Sequence, residues 1–130
     1  MMQTMIAYPK IKLIKPYGSF DAASAAEFQR QLKIAVTQDD HTGILVDMEN
    51  VESINSAGLI ALVQSLNLAK TWGKRFSLCA VSPALRIIFE LTQLDLVLEI
   101  FESFAAFEAA IAISEVATAH SYYSQQSMCA

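Results

Sequence analysis

A serine lies at the start of a long amphipathic segment, and its position allows two kinds of chemistry. Ser56 belongs to the run Asn55-Ser56-Ala57-Gly58, and residues 59–72 follow with apolar side chains at spacings of three and four. That spacing predicts a helix with one apolar face, made of Leu59, Leu62, Val63, Leu66 and Ala69. The first turn of a helix has unpartnered backbone N–H groups and the positive end of the helix dipole. Ser56 is therefore either an N-cap or a phosphorylation site whose phosphate the helix would favour.

The segment before this serine predicts a buried strand that ends in acidic residues. Gly43 opens a run of three consecutive apolar residues, Ile44 to Val46, which Asp47 and Met48 follow, and residues 49–54 form a polar link to the helix. Asp47, Glu49 and Glu52 lie close together in the sequence. Carboxylates this close are more often a surface group than a catalytic pair.

Residue patterns typical of enzymes and of cofactor sites are missing. Ser56 has no glycine two residues before it, so the nucleophile-elbow pattern is absent. The sequence contains neither GxGxxG nor GxxxxGK[ST], the usual phosphate-binding signals. The two cysteines, Cys79 and Cys129, are not in a CxxC pair, and His41 is far from His120. We therefore expect no catalytic activity, no cofactor and no metal site.

Length and composition indicate one soluble domain. The chain has 130 residues, of which 54 % are hydrophobic and 17 % are charged, and this is enough to build a substantial core. The formal net charge of −4 argues against direct binding to nucleic acid. No run of about 18 apolar residues occurs, so no membrane insertion is expected. The absence of a signal-peptide pattern and of a disulfide framework predicts a cytoplasmic location.

Strand and helix patterns alternate along the chain, and each predicted helix begins with a capping residue. The predicted strands are Met1 to Tyr8, Lys10 to Lys15, Gly43 to Met48, Arg75 to Ala80 and Leu96 to Phe101. The predicted helices run from Ala22 to about Gln38 after Asp21, from Leu59 to Trp72, from Pro83 to Leu91 or Thr92 after Ser82, and onward from Ser103. The segment from Pro16 to Asp21 is predicted to be a turn.

This alternation predicts an α/β fold. The expected domain has a mixed, mostly parallel sheet of about five strands, with about four helices packed against it. It extends over residues 1–119, and residues 120–130 form a polar tail that is expected to be disordered.

Four segments, in order and at the expected spacing, resemble the STAS family, and more narrowly the bacterial anti-sigma factor antagonists. One of the four has two parts, residues 47–51 and 54–59 (DMENV and INSAGL), which are similar to the family's strand end and to its D-[ST]-[ST]-G-L turn. Residues 18–21 (GSFD) resemble its G-x-[LF]-D turn. Residues 79–85 (CAVSPAL) resemble the strand that leads into its Ser-Pro helix, and residues 88–94 (IFELTQL) resemble the stretch that follows. The resemblance covers about residues 5 to 113 and implies a STAS-like fold.

The resemblance also implies a function. In the family, the serine after the motif Asp is the phosphoacceptor, which corresponds to Ser56. The unphosphorylated protein binds an anti-sigma factor that is also a serine kinase, and this frees the sigma factor, so transcription is regulated indirectly. Phosphorylation by that kinase breaks the complex, and a phosphatase resets the protein, which is a monomer when free. The implied partner-binding residues are Gly18, Asp21, Asn55, Ser56, Ala57 and Gly58.

Two departures from the family pattern leave an alternative open. Asn55 occupies the position of the motif Asp, and Ala57 occupies that of the second hydroxyl residue. Asn55 removes a negative charge beside the acceptor, which would affect how a kinase positions the hydroxyl. The alternative is therefore a STAS adaptor that is not phosphorylated and serves as a subunit of a transport or signalling complex. An enzyme would instead need a base close to Ser56.

Overall fold

The computed structural model describes residues 11–37 and 42–111. The predicted first strand and the polar tail at residues 120–130 lie outside these residues, as do both histidines and Cys129. The strands are β1 (Ile11–Ile14), β2 (Gly18–Phe20), β3 (Gly43–Asp47), β4 (Val51–Ile54), β5 (Arg75–Cys79) and β6 (Glu99–Phe101). The helices are α1 (Ala22–Thr37), α2 (Ser56–Thr71), α3 (Pro83–Leu91) and α4, which is described over residues 104–111.

The main sheet has four parallel strands in the order β1-β3-β5-β6. Strand β3 lies inside this sheet, and all five of its residues are buried, as its continuous apolar run predicted. Strand β6 is shorter than expected, because Leu94–Leu96 forms a turn of 3-10 helix before it. The predicted fold class, a STAS-like α/β domain with a mostly parallel sheet and four helices, is confirmed.

The two faces of this sheet have separate apolar clusters. One face presents Ile44, Val46 and Leu78 to the core that α1, α2 and α3 complete. The other face presents Leu45 and Cys79, which pack with Phe107 of α4. Helix α4 therefore lies across the sheet from the other three helices.

The apolar face of α1 agrees with its prediction. Its buried residues are Ala25, Phe28, Leu32, Ala35 and Val36. Helix α3 also begins as predicted, since the Ser82 hydroxyl accepts a hydrogen bond from the Leu85 N–H at 3.3 Å and Pro83 is the first helical residue. In α2, Leu62, Leu66 and Ala69 are buried as expected, whereas Leu59 and Val63 are only partly buried.

A small second sheet was not predicted. Strands β2 and β4 pair in parallel, and they lie in the segments expected to be a turn and a polar link. Both strands are short, and they carry exposed serines, Ser19 and Ser53, so neither has the apolar pattern that marks a strand. Their pairing depends on residues more than 30 positions apart, which local patterns do not reveal.

Candidate functional site

The β2–β4 ribbon brings the beginnings of two helices together. Phe20 and Ile54 are paired at the end of the ribbon, and the Asn55 N–H donates to the Phe20 carbonyl at 3.3 Å. Helix α1 starts two residues after Phe20, and α2 starts two residues after Ile54. The N-termini of α1 and α2 therefore lie at one surface, which carries Asp21 and residues 55–58.

Asn55, and not Ser56, is the N-cap of α2. The Asn55 backbone is extended (φ −112°, ψ −174°), and its side-chain Oδ1 accepts a hydrogen bond from the Gly58 N–H at 3.0 Å. Ser56 is the first helical residue. The N-cap interpretation of Ser56 is therefore wrong, and the reason is local: both residues are good caps, but only the Asn side chain reaches the third helical N–H from this backbone.

The hydroxyl of Ser56 is consequently not needed by the helix. Ser56 is exposed, and its side chain makes no hydrogen bond to any residue in the described ranges 11–37 and 42–111. Ala57 beside it is partly buried. Ser56 therefore presents an accessible hydroxyl at the positive end of the α2 dipole.

Gly58 lets α2 approach the ribbon closely. A Cβ at this position would lie 2.3 Å from the Phe20 carbonyl oxygen, 2.7 Å from Phe20 Cδ2 and 2.8 Å from Ile54 Cγ1. These distances are far below van der Waals contact, so only glycine fits. Gly58 therefore sets the distance between the first turn of α2 and the end of β2.

Asp21 caps α1 on the same surface. Its Oδ1 accepts from the Ser24 N–H at 3.2 Å, and the Ser24 hydroxyl accepts in turn from the Asp21 N–H at 3.0 Å. Hydrogen bonds from the Ser24 backbone and then from its hydroxyl lower the pKa of Asp21, so the carboxylate is charged at neutral pH. The predicted cap at Asp21 is confirmed.

Gly18 lies at the opposite end of β2 from Asp21. Its φ of +73° is in the left-handed region, and its N–H donates to the Asn50 carbonyl at 2.9 Å. The structure thus brings Asp21 and residues 55–58 together at the helix starts, and it places Gly18 one short strand away.

Three serines in this region were not predicted as part of the site. The hydroxyls of Ser53 and Ser19 are 3.2 Å apart across the ribbon, and the Ser24 hydroxyl also lies 2.7 Å from the Ser19 carbonyl oxygen. These contacts connect β4, β2 and the first turn of α1. A sequence signal for them is lacking, because exposed serines in short strands have no pattern of their own.

Cys79 does not have the properties of a reactive thiol. It is fully buried between the main sheet and α4. Burial, followed by the negative charge of Asp47, raises the pKa of the Cys79 thiol to about 11, so the nucleophilic thiolate is scarce at neutral pH.

The described part of the chain has neither a metal-binding cluster nor a membrane-crossing helix. Within residues 11–37 and 42–111, no group of three or more His, Cys, Asp and Glu side chains could hold a metal ion. No helix in the same ranges has the length and apolar content needed to cross a bilayer.

The assignment of the α2 cap can be tested by alanine substitution. We expect Asn55→Ala to lower the free energy of unfolding by about 1 kcal/mol, because the Gly58 N–H loses its acceptor. Ser56→Ala is the matched control and should cost less than about 0.5 kcal/mol, since the Ser56 hydroxyl makes no hydrogen bond within the described residues. Urea denaturation measures both, and a larger loss for Ser56→Ala would contradict the assignment.

Solved structures with the same fold come from two kinds of protein. A proposed anti-sigma factor antagonist from Thermotoga maritima is 20 % identical to this chain and superposes with a TM-score of 0.72. The match covers 83 % of this chain and 95 % of that one. The anti-sigma factor antagonist SpoIIAA, in its unphosphorylated form, is 18 % identical with a TM-score of 0.62. That match covers 83 % of this chain and 92 % of SpoIIAA. The STAS domain of a SulP transporter from Vibrio cholerae is 14 % identical with a TM-score of 0.68. This match covers 82 % of this chain and 85 % of the transporter domain. At these identities the likeness concerns the fold.

Family membership comes from the sequence itself. The model of the STAS domain family matches residues 3–107, which include every described strand, helices α1 to α3, and the caps at Asp21 and Asn55. The match covers most of the 130 residues. The chain therefore belongs to the STAS domain family.

Proposed function

We propose that this protein is an anti-sigma factor antagonist that is switched off by phosphorylation of Ser56. In its unphosphorylated form it binds an anti-sigma factor that is also a serine kinase, and it thereby regulates transcription indirectly. It acts as a binding protein in the cytoplasm and not as an enzyme. The observation that carries this proposal is the exposed Ser56 hydroxyl, which the fold does not use, at the first residue of α2.

The proposed switch has simple chemistry. The kinase transfers the terminal phosphoryl group of a nucleoside triphosphate to Ser56 Oγ, the hydroxyl proton leaves, and the diphosphate is released. A phosphatase later hydrolyses the phosphoserine to serine and inorganic phosphate. The phosphate adds about −1.5 to −2 charge and three acceptor oxygens. Because Ser56 is on the surface and Asn55 holds the cap, the fold tolerates this charge, whereas a partner surface pressed against it does not.

The partner-binding surface of this proposal is centred on residues 55–58. Asp21 belongs to it, because the ribbon places the start of α1 beside the start of α2. Gly18 contributes at the far end of β2. SpoIIAA, which shares the fold, has been solved in both unphosphorylated and phosphorylated forms, so this fold accommodates a phosphorylated state in that protein.

Mass spectrometry of the protein from its own cells tests the switch. We expect a fraction of the molecules to carry about 80 Da of added mass, localised by fragmentation to Ser56. The kinase would then be sought among proteins that co-purify with the unmodified form. Ser56 unmodified across growth and stress conditions would contradict the proposal.

An adaptor subunit that is never phosphorylated is the second candidate. Two observations favour it: the likeness of the fold to the SulP transporter STAS domain, and the neutral Asn55 beside Ser56. This candidate predicts an unmodified Ser56 together with co-purification of a permease or of a transport ATPase.

A further inference from the structure

Helix α3 carries apolar side chains on its solvent side as well as on its core side. Leu85 and Phe89 are buried in the core. Ala84, Ile87 and Leu91 are exposed instead, and the exposed fractions of Ile87 and Leu91 are 55 % and 79 %. Residues three and four apart are neighbours on a helix, so these three residues form one apolar surface, the α3 stripe. Covering it would remove apolar area from water, which is favourable.

The segment after α3 exposes further apolar side chains. The 3-10 turn Leu94–Leu96 packs against α3, and the exposed fractions of Leu96 and Val97 are 76 % and 53 %. The end of the helix is well held, since the Thr92 hydroxyl donates to the Ile88 carbonyl at 2.8 Å. The α3 stripe and this turn therefore form a fixed apolar surface, and such surfaces mark sites of association.

Two opposite charges lie on one flank of the α3 stripe. They are Arg86 and Glu90, one helical turn apart, and neither side chain makes a hydrogen bond or an ion pair with the described part of the chain. Their order is unfavourable for a helix by itself. Arg86 is in the first turn, at the positive end of the dipole, and Glu90 is in the last turn, at the negative end. An antiparallel neighbouring helix would present the opposite charge to each of them.

A second copy of α3 has the required pattern. Arg86 and Glu90 are equally far from Ile88 along the helix. A twofold axis that crosses the helix at Ile88 therefore brings Arg86 of each copy to Glu90 of the other, because a twofold interface pairs residue i with j and j with i. The same axis brings Leu91 of one copy close to Ala84 of the other, so a large side chain faces a small one.

We propose that the α3 stripe is a contact surface for a second copy of this chain, with the two α3 helices antiparallel across this axis. The family resemblance implied a monomer in the free state, and this surface departs from that expectation. The contact does not include Asp21 or residues 55–58, so it is independent of the proposed switch at Ser56. One short helix and one turn are small beside a standard interface of about 800 Å² per partner, so the expected dissociation constant is about 10–500 µM.

Sedimentation equilibrium of the full chain, from about 5 µM to about 1 mM, measures the self-association. Ile87→Glu is expected to raise the dissociation constant at least about tenfold, because it puts a carboxylate in the centre of the apolar contact. Ile60→Glu is the matched control, since Ile60 is on α2 and has an exposed fraction of 56 %. The control should leave the dissociation constant unchanged, and the melting temperature of each variant verifies its folding.

Reversing the two charges tests the antiparallel arrangement. Arg86→Glu and Glu90→Arg, made singly, each replace two attractive pairs by two repulsive ones, so each should raise the dissociation constant about 3- to 10-fold. The two changes combined should restore it to within about threefold of the natural value. Both changes suit the dipole of α3, so the variants are expected to fold. The two single variants, when mixed, should associate with each other more tightly than with themselves.

A chain that stays monomeric at about 1 mM would overturn the inference, and the α3 stripe would then be open to a different protein. Self-association that survives Ile87→Glu would also overturn it, because the contact would lie elsewhere. If the combined charge reversal did not restore what the single reversals lose, the antiparallel pairing would be refuted. Ser56→Asp should not change the dissociation constant, so loss of the dimer and loss of the proposed switch are separate results.

Discussion

Replacing Ser56 with Asp should weaken the complex with the proposed anti-sigma partner by about 30- to 1,000-fold, while the melting temperature changes by less than about 3 °C. The reason is that the new carboxylate must be desolvated in the complex without a partner group, which costs a few kcal/mol. In the free protein the same carboxylate is in water at a helix N-terminus, where it is tolerated. Ser56→Asp is therefore expected to lower the affinity for the partner without lowering the stability of the free protein.

Calorimetric titration with the proposed anti-sigma partner, isolated with the unmodified protein, measures this loss. Ser103→Asp is the matched control, because Ser103 is an exposed N-cap whose hydroxyl accepts from the Ala106 N–H at 3.0 Å. It adds the same charge at the start of α4, on the other side of the main sheet from α2. Equal affinity for Ser56→Asp, or an equal loss for Ser103→Asp, would argue against a contact surface at Ser56.

Gly58→Ala is expected to lower the free energy of unfolding by about 2–4 kcal/mol, and Gly58→Val by more. The added Cβ would be 2.3 Å from the Phe20 carbonyl oxygen, which also accepts the Asn55 N–H. Because this neighbour is backbone, the clash cannot be relieved by a side-chain rotation. Helix α2 must move away from the ribbon, and Ser56 moves with it, so partner binding should fall together with stability.

Gly73→Ala distinguishes this overlap from an ordinary effect of losing a glycine. Gly73 has a φ of +69°, but a Cβ there would have no atom of a described, non-adjacent residue within 4 Å. We expect a loss of about 1 kcal/mol from backbone strain alone, and no change in binding. Urea denaturation of the two variants side by side measures both. If Gly58→Ala lost no more stability than Gly73→Ala, the close approach of α2 to the ribbon would be refuted.

Elements with a strong local pattern could be predicted from the sequence. The spacing of Ala25, Phe28, Leu32, Ala35 and Val36 defines one side of a helix, and those residues are the buried ones in α1. Strand β3 is apolar on both faces, as its place inside the sheet requires. Ser82 followed by Pro83 marked the cap and the first residue of α3, since each residue type is suited to its position.

The cap of α2 could not be assigned from residue types. Asn55 and Ser56 are adjacent and have similar capping preferences, so the sequence leaves two choices one residue apart. The choice depends on the extended backbone at Asn55, which the pairing of β2 with β4 imposes. The consequence for function is large, since it determines whether the Ser56 hydroxyl is engaged or available.

The sequence by itself determined the α/β class, most helix positions and the family, because these follow from apolar periodicity, capping residues and short motifs that are local in the chain. Only the tertiary structure decided that the starts of α1 and α2 share one surface, that Gly58 touches Phe20, and that Asn55 holds the cap. All three depend on a ribbon between strands more than 30 residues apart. Two such short, half-exposed strands are stable only when the surrounding fold holds them together, so no local signal marks them.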